Sequence, residues 1–185
     1  MAYKTSATIA NAIIALEPSF PNTCTRFTMN HLTAQDNQPV PFVKISTGGK
    51  EKTQVLFTGG IHARELAPPD ALLAFCTQLL TAFTNGFDII YPPFTDTSGV
   101  VYDQFVISNG AINAILDTCD LCVVPCVNPD GRDFALASSA QLNKMWRKNR
   151  RPDPSCPGVD INRNFPIAWD QDVYFLAPAA ATVHT

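Results

Sequence analysis

The first sixteen residues, with the run "IANAIIAL", read as an amphipathic helix that "EPSFPN" ends. A polar segment follows, and "PFVKIS" (Pro41 to Ser46) alternates as a short strand. "GGKEKT" is a turn, and "QVLFTGG" (Gln54 to Gly60) is a buried strand closed by glycines. Pro68 and Pro69 sit where a first helical turn tolerates proline, and "DALLAFCTQLLTAF" repeats apolar residues at helical spacing. Residues 85 to 106, punctuated by Gly, Pro and Thr, predict an extended loop. "AINAILDTC" predicts a short helix, and "LCVVPCVN" a buried strand halted by "PDG". A helix is expected from Asp133 to about Lys148, with a loop from Arg151 onward.

Helices alternating with apolar strands predict an α/β fold. The expected core is a mixed, mostly parallel central sheet with helices on both faces. In such sheets ligands gather outside the carboxyl ends of strands. "HARE" follows one predicted strand and "NPDG" another, so both are expected to face one crevice.

A length of 185 residues fits one domain with a real core. A hydrophobic fraction of 46% against 16% charged describes a soluble globular chain. No apolar run approaches the roughly 18 residues of a membrane span. Thr8 and Asn11 interrupt the N-terminal run and no small-residue cleavage site follows, so no signal peptide is visible. The chain reads as cytoplasmic, or as secreted if its true start lies upstream. A formal net charge of −3 argues against nucleic acid as a partner. Six cysteines are too few for a disulfide scaffold. Cys119 and Cys122 have C-x-x-C spacing, but the apolar "LCVVPCV" favours core packing, with Cys122 and Cys126 on one face of a strand and Cys119 on the other.

Three stretches carry candidate chemistry. In "GGIHARE", His62 and Glu65 have two residues between them, and imidazole and carboxylate are both good Zn²⁺ ligands. The alternative is a surface loop whose His and Glu merely meet solvent. "MWRKNRRPD" crowds Lys144, Arg147, Lys148, Arg150 and Arg151 into an otherwise acidic chain. Such a cluster is either a solvated helix face or an anion site, since guanidinium forks match carboxylates. In "GVDINRNFP", Asn162 and Arg163 would grip a carboxylate or tie down a loop.

Taken in order, "GGIHARE", "VNPDG", "WRKNR" and "GVDINRNF" resemble the zinc metallocarboxypeptidases of the carboxypeptidase A/B type, over about Val55 to Phe165. The resemblance implies one zinc ion, with His62 and Glu65 as its first two ligands. It implies that Arg64 helps bind the substrate peptide, that Arg147 polarises the scissile carbonyl, and that Asn162 and Arg163 hold the terminal carboxylate. An exopeptidase of this kind needs a cation for the free carboxylate and a metal to activate water. A fixed donor at the developing oxyanion contributes roughly 3 kcal/mol in comparable sites.

The family's third zinc ligand is a histidine after an apolar strand. Here only His184 follows His62, too soon after Asn162 and after no strand, so it is not expected to serve. The family's general base is a late glutamate, and no glutamate follows Glu65. Cys156 matches a disulfide cysteine whose partner would lie past residue 185. The expectation is therefore that residues 1–185 form the N-terminal part of a single zinc carboxypeptidase catalytic domain, with its C-terminal part missing and little activity alone. The expected function is hydrolysis of C-terminal peptide bonds in peptides or proteins. The alternatives are a non-catalytic binder of peptide C-termini, or a deacylase or cell-wall peptidase on the same scaffold.

Overall fold

Ile9 and Ile13 lie one helical turn apart, and both are buried in the first helix, α1 (Ser6–Ile14), in a computed structural model of the chain that describes residues 3–33, 35–49, 51–137 and 141–165. Thr5 caps α1 by accepting the Thr8 amide through its side chain. A short α2 (Leu16–Ser19) adds Leu16 to the same apolar face. Strands β1 (Cys24–Thr28), β2 (Pro41–Ile45) and β3 (Thr53–Thr58) follow, then the long α3 (Ala67–Asn85). Leu73, Cys76, Leu79 and Leu80 form the buried stripe of α3, and Gly86 ends it in the left-handed conformation at φ 69°.

Beyond α3 the chain makes β4 (Ile89–Tyr91), β5 (Phe94–Thr95), β6 (Val101–Tyr102) and β7 (Phe105–Ile107). Next come α4 (Asn109–Thr118), β8 (Cys119–Val124), α5 (Pro129–Leu136) and α6 (Gln141–Lys144), then a 3-10 turn at Ile161–Arg163.

The central sheet has the order β1-β2-β8-β3. It is mixed, as expected, but its balance differs from the expectation. β1–β2 and β2–β8 are antiparallel, and only β3–β8 is parallel. The parallel pair is the one whose connection runs through α3 and α4, as a crossover requires. Val43 and Ile45 of β2 stand opposite Val123 and Leu121 of β8, and all four are buried. They share one core with Ile9 and Ile13 of α1, Leu80 of α3, and Ile112 and Leu116 of α4. Burying such side chains contributes about 1.5–3 kcal/mol each. The other face bears Leu56, which is 64% exposed, so among the described residues α1, α3 and α4 cover one face of the sheet.

Three local expectations are corrected. The segment from 85 to 106 is not irregular: β4 pairs with β7, and β5 with β6 inside them, both antiparallel. Stacked cross-strand rings, Tyr91 on Phe105 and Phe94 on Tyr102, supply the pairing that Pro and Gly punctuation obscures. The helix expected from Asp133 to Lys148 starts earlier, at Pro129, because Asn128 caps it, and α5 stops at Leu136. The chain beyond α6 then turns so that Trp146 packs edge-on against Phe134 while Arg150 lies 3.8 Å over the Phe134 ring. The strand expected to be buried, β3, lies at the sheet edge with none of its six residues buried; strand β1 had no signal in the sequence, since only Cys24 of its five residues is buried.

Cys24, Cys76 and Cys126 belong to the core and Cys119 packs against it. Strand β8 ends at Val124, so alternation does not carry Cys126 onto the face of the half-buried Cys122. Cys24, Cys76, Cys119, Cys122 and Cys126 are free thiols, and the disulfide partner expected for Cys156 lies outside the described residues.

Candidate functional site

The parallel pair β3–β8 continues as hydrogen bonds beyond its last ladder rung. Gly59 donates to the Val124 carbonyl, Val127 to Gly59 and Asn128 to Gly60. "GGIHARE" and "NPDG" are thereby held side by side at the carboxyl ends of their strands. The close approach requires glycine: a Cβ on Gly59 would stand 2.6 Å from the Pro125 carbonyl oxygen, and Gly60 has φ +61°.

Asn128 is the junction of the site. Its side-chain amide donates to the Ile61 carbonyl (3.2 Å) and to the Lys148 carbonyl (3.1 Å), and its oxygen accepts the Gly131 amide (3.0 Å). One buried side chain thus ties the "HARE" turn, the "WRKNR" segment and the start of α5 together. Ala63 adds a second tie by donating to the Arg147 carbonyl at 3.0 Å. The remaining polar residues of "NPDGRD" anchor this unit to the N-terminal segments. Asp130 accepts from Thr33 and Gln38 side chains, and Asp133 from the amide and hydroxyl of Ser6.

His62 is buried, and its Nδ1 lies 2.6 Å from Glu65 Oε1. Its Nε2 is buried without a hydrogen-bond partner among the described residues, with Asp160 Oδ1 standing 3.5 Å away. The other oxygen of Asp160 accepts Arg147 Nε at 2.6 Å. Asp160 also accepts the Asn162 amide through Oδ1, capping the turn that carries Asn162 and Arg163. Burial alone would raise the Asp160 carboxyl. The hydrogen bond and charge of Arg147, the Asn162 amide and nearby His62 outweigh it and hold the group below the ordinary carboxylate range.

The side chains singled out by sequence thus fall into one connected set. His62 and Glu65 meet directly, and Arg147 joins them through Asp160. Asn162 and Arg163 sit on the exposed turn that Asp160 starts, with Arg163 donating to the Asn162 carbonyl. Arg64 is exposed on the turn between His62 and Glu65. His184 lies outside the described residues. Sequence reasoning missed Asp160, although it stands directly before the Ile161–Asn162–Arg163 turn, and missed Asn128 in the quoted "NPDG" stretch and Arg132 directly after it.

A metal ion fits this corner in part. Two donors of suitable type converge, and the unpartnered Nε2 faces a carboxylate, the arrangement that orients a metal-binding histidine. Among the described residues there is no cluster of three or more His, Cys, Asp or Glu that would complete a site.

The chain is 33% identical to a metallocarboxypeptidase A of Trichophyton tonsurans over 140 residues, 74% of this chain and 27% of that protein. It is 34% identical to rat carboxypeptidase A2 over 149 residues, 80% of this chain and 28% of the relative. An inactive metallocarboxypeptidase of Talaromyces stipitatus is 32% identical over 124 residues, 66% of this chain and 16% of the relative. The matched segment therefore spans about a quarter or less of these relatives. In fold, the chain resembles thrombin-activatable fibrinolysis inhibitor with a TM-score of 0.64 at 23% identity, over 89% of this chain and 34% of the other. Carboxypeptidase A of Helicoverpa armigera gives 0.63 at 21% identity, over 88% and 34%. The zinc carboxypeptidase family profile matches residues 9–182, nearly the whole chain, and the protein belongs to that family.

Proposed function

We propose that these residues form the N-terminal part of a carboxypeptidase catalytic domain that binds one zinc ion and hydrolyses the C-terminal peptide bond of peptides or proteins. The observation that carries this reading is the convergence of His62 Nδ1 and Glu65 Oε1 at 2.6 Å, with Arg147 tied to the same corner through Asp160. Family membership and the relatives' names support it.

In this reading His62 and Glu65 hold the metal, which when bound activates water and polarises the carbonyl. Asp160 keeps the His62 ring in orientation, leaving Nδ1 for coordination. It also fixes Arg147, whose guanidinium donates to the oxygen that gains charge at the scissile carbonyl. Asn162 and Arg163, exposed on their turn, take the substrate's terminal carboxylate, where a planar guanidinium is suited to bidentate pairing. Arg64 contacts the peptide beside them. The third metal ligand and the general base are contributed from outside the described residues. The share of the relatives that is matched, about a quarter, supports this division. Nothing in the net charge of −3 favours nucleic acid, and among the described residues no helix is long and apolar enough to cross a membrane.

A second reading, a binder of peptide C-termini without hydrolysis, is favoured by the inactive Talaromyces relative. One experiment separates them. Zn²⁺ and a peptide with a free C-terminus, or its amidated form, are added to a protein extended to the length of its relatives, and binding and release of the terminal amino acid are measured. Zinc-dependent release from the free form alone supports the peptidase. Carboxylate-dependent binding without release supports the binder. Equal binding of both peptides sinks both readings.

A further inference from the structure

Arg132 is fully buried, the largest side chain to be so among the described residues, yet no motif singled it out. Each arm of its guanidinium has a separate acceptor. Nε donates to the Lys4 carbonyl at 2.9 Å, Nη1 to the Leu66 carbonyl at 2.9 Å, and Nη2 to Asp70 Oδ2 at 2.6 Å. Leu66 directly follows Glu65 and starts α3, and Asp70 lies in the first turn of that helix. Two of the three bonds therefore clamp the exit of the His62–Glu65 turn. Its entrance is held separately, by Asn128 on the Ile61 carbonyl.

Two further observations make this clamp matter. Helix α3 has no side-chain cap at Leu66, so its start is not held by a residue of its own. Glu65 is 45% exposed in its side chain, so its position depends on the backbone on either side of it. A buried ion pair adds little stability over a well-packed apolar replacement, whereas a rigid three-way fork fixes the direction of the groups it binds.

We propose that Arg132 is a positioning residue for the metal-binding turn. Through the Leu66 carbonyl and the Asp70 carboxylate it sets where Glu65 stands relative to His62. This rests on the metal reading of His62 and Glu65. Asp70 would retain Lys4, whose Nζ lies 3.3 Å away, if Arg132 were replaced. An apolar substitution of similar length therefore leaves the carboxylate paired.

The test is Zn²⁺ titrated into the full chain and into R132M, R132K and D70N, followed by the His62 ring signals in NMR spectra. Thermal unfolding without metal is measured alongside. The expected result is that zinc affinity falls roughly 10- to 100-fold in R132M and R132K, at temperatures where each is fully folded, and by less in D70N. Wild-type affinity in the folded variants, or a loss no greater than their unfolded fraction, overturns the proposal and leaves Arg132 a structural residue. Should R132M not fold, R132K and D70N decide by the same criterion. If zinc binding to the unaltered chain is insensitive to H62A, the metal reading itself fails and the proposal falls with it.

Discussion

Asp160 divides its two oxygens between His62 and Arg147: Oδ2 accepts Arg147 Nε at 2.6 Å, and Oδ1 stands 3.5 Å from His62 Nε2. One buried carboxylate thus couples the histidine proposed to bind metal to the arginine proposed to face the scissile carbonyl. Asp160→Asn keeps the shape and removes the charge. It is expected to destabilise the chain by about 2 kcal/mol in urea unfolding, below the full value for a broken buried pair because Arg147 is 31% exposed. Zinc affinity should drop as well, and an unchanged value would contradict the orienting role.

Asp120 on β8 is held by Lys44 (2.7 Å), Ser46 (2.6 Å) and Gln54 (2.9 Å), which together draw its carboxyl well below the usual range. A depressed folded pKa contributes stability that is complete above the unfolded value near 4 and is lost as pH falls through the folded one. Urea midpoints should therefore decline below about pH 4. Asp120→Asn should flatten that decline while lowering stability at neutral pH by about 1–3 kcal/mol. A variant as acid-sensitive as the unaltered chain would refute this assignment.

Gly131 leaves no room for a side chain, since a Cβ there would meet the Asn128 side chain at 2.5 Å and Ala63 Cβ at 2.8 Å. Gly131→Ala is expected to cost about 1–3 kcal/mol by overpacking. Asn128→Ala, which frees the Ile61 and Lys148 carbonyls, should cost about 2–4 kcal/mol. Equilibrium unfolding of both variants checks the claim that this junction, rather than the exposed turn at 161–163, holds the site together.

Burial pushes the Cys76 and Cys126 thiols up to about 12 and, with a smaller contribution from Glu17, the Cys24 thiol to about 11. Thiolate is the reactive form, so these three should resist alkylation at pH 8 in the native chain. Only Cys119, Cys122 and Cys156, which are half-buried, are candidates for labelling before denaturant is added. Counting modified cysteines by mass spectrometry tests this, and rapid labelling of Cys76 would contradict the core position assigned to α3.

The paired strands β5 and β6 carry a stacked Phe94–Tyr102 pair at 4.6 Å whose members remain 58% and 45% exposed. An exposed aromatic cross-strand pair contributes only about 0.5–1 kcal/mol locally. The F94S/Y102S double variant should speed amide exchange within residues 94–102 and leave the global unfolding midpoint nearly unchanged. A large drop in the midpoint would mean that this ribbon is part of the cooperative core.

The helices α1, α3 and α4, the strands β2 and β8, the position of β3 though not its burial, and His62, Glu65, Arg147, Asn162 and Arg163 as candidates were legible in the sequence. Each rests on local periodicity or on a short motif whose members are close in the chain. The tertiary structure alone decided the rest. Strand β1 exists because β2 pairs with it, not because its residues are apolar. The ribbons β4–β7 and β5–β6 form because rings 14 and 8 positions apart stack across intervening Pro and Gly. Asp160, Asn128 and Arg132 matter because folding brings their polar atoms to backbone and side-chain groups 13 to 128 positions away. A buried polar group must find a partner, and no local pattern says which distant one it will be.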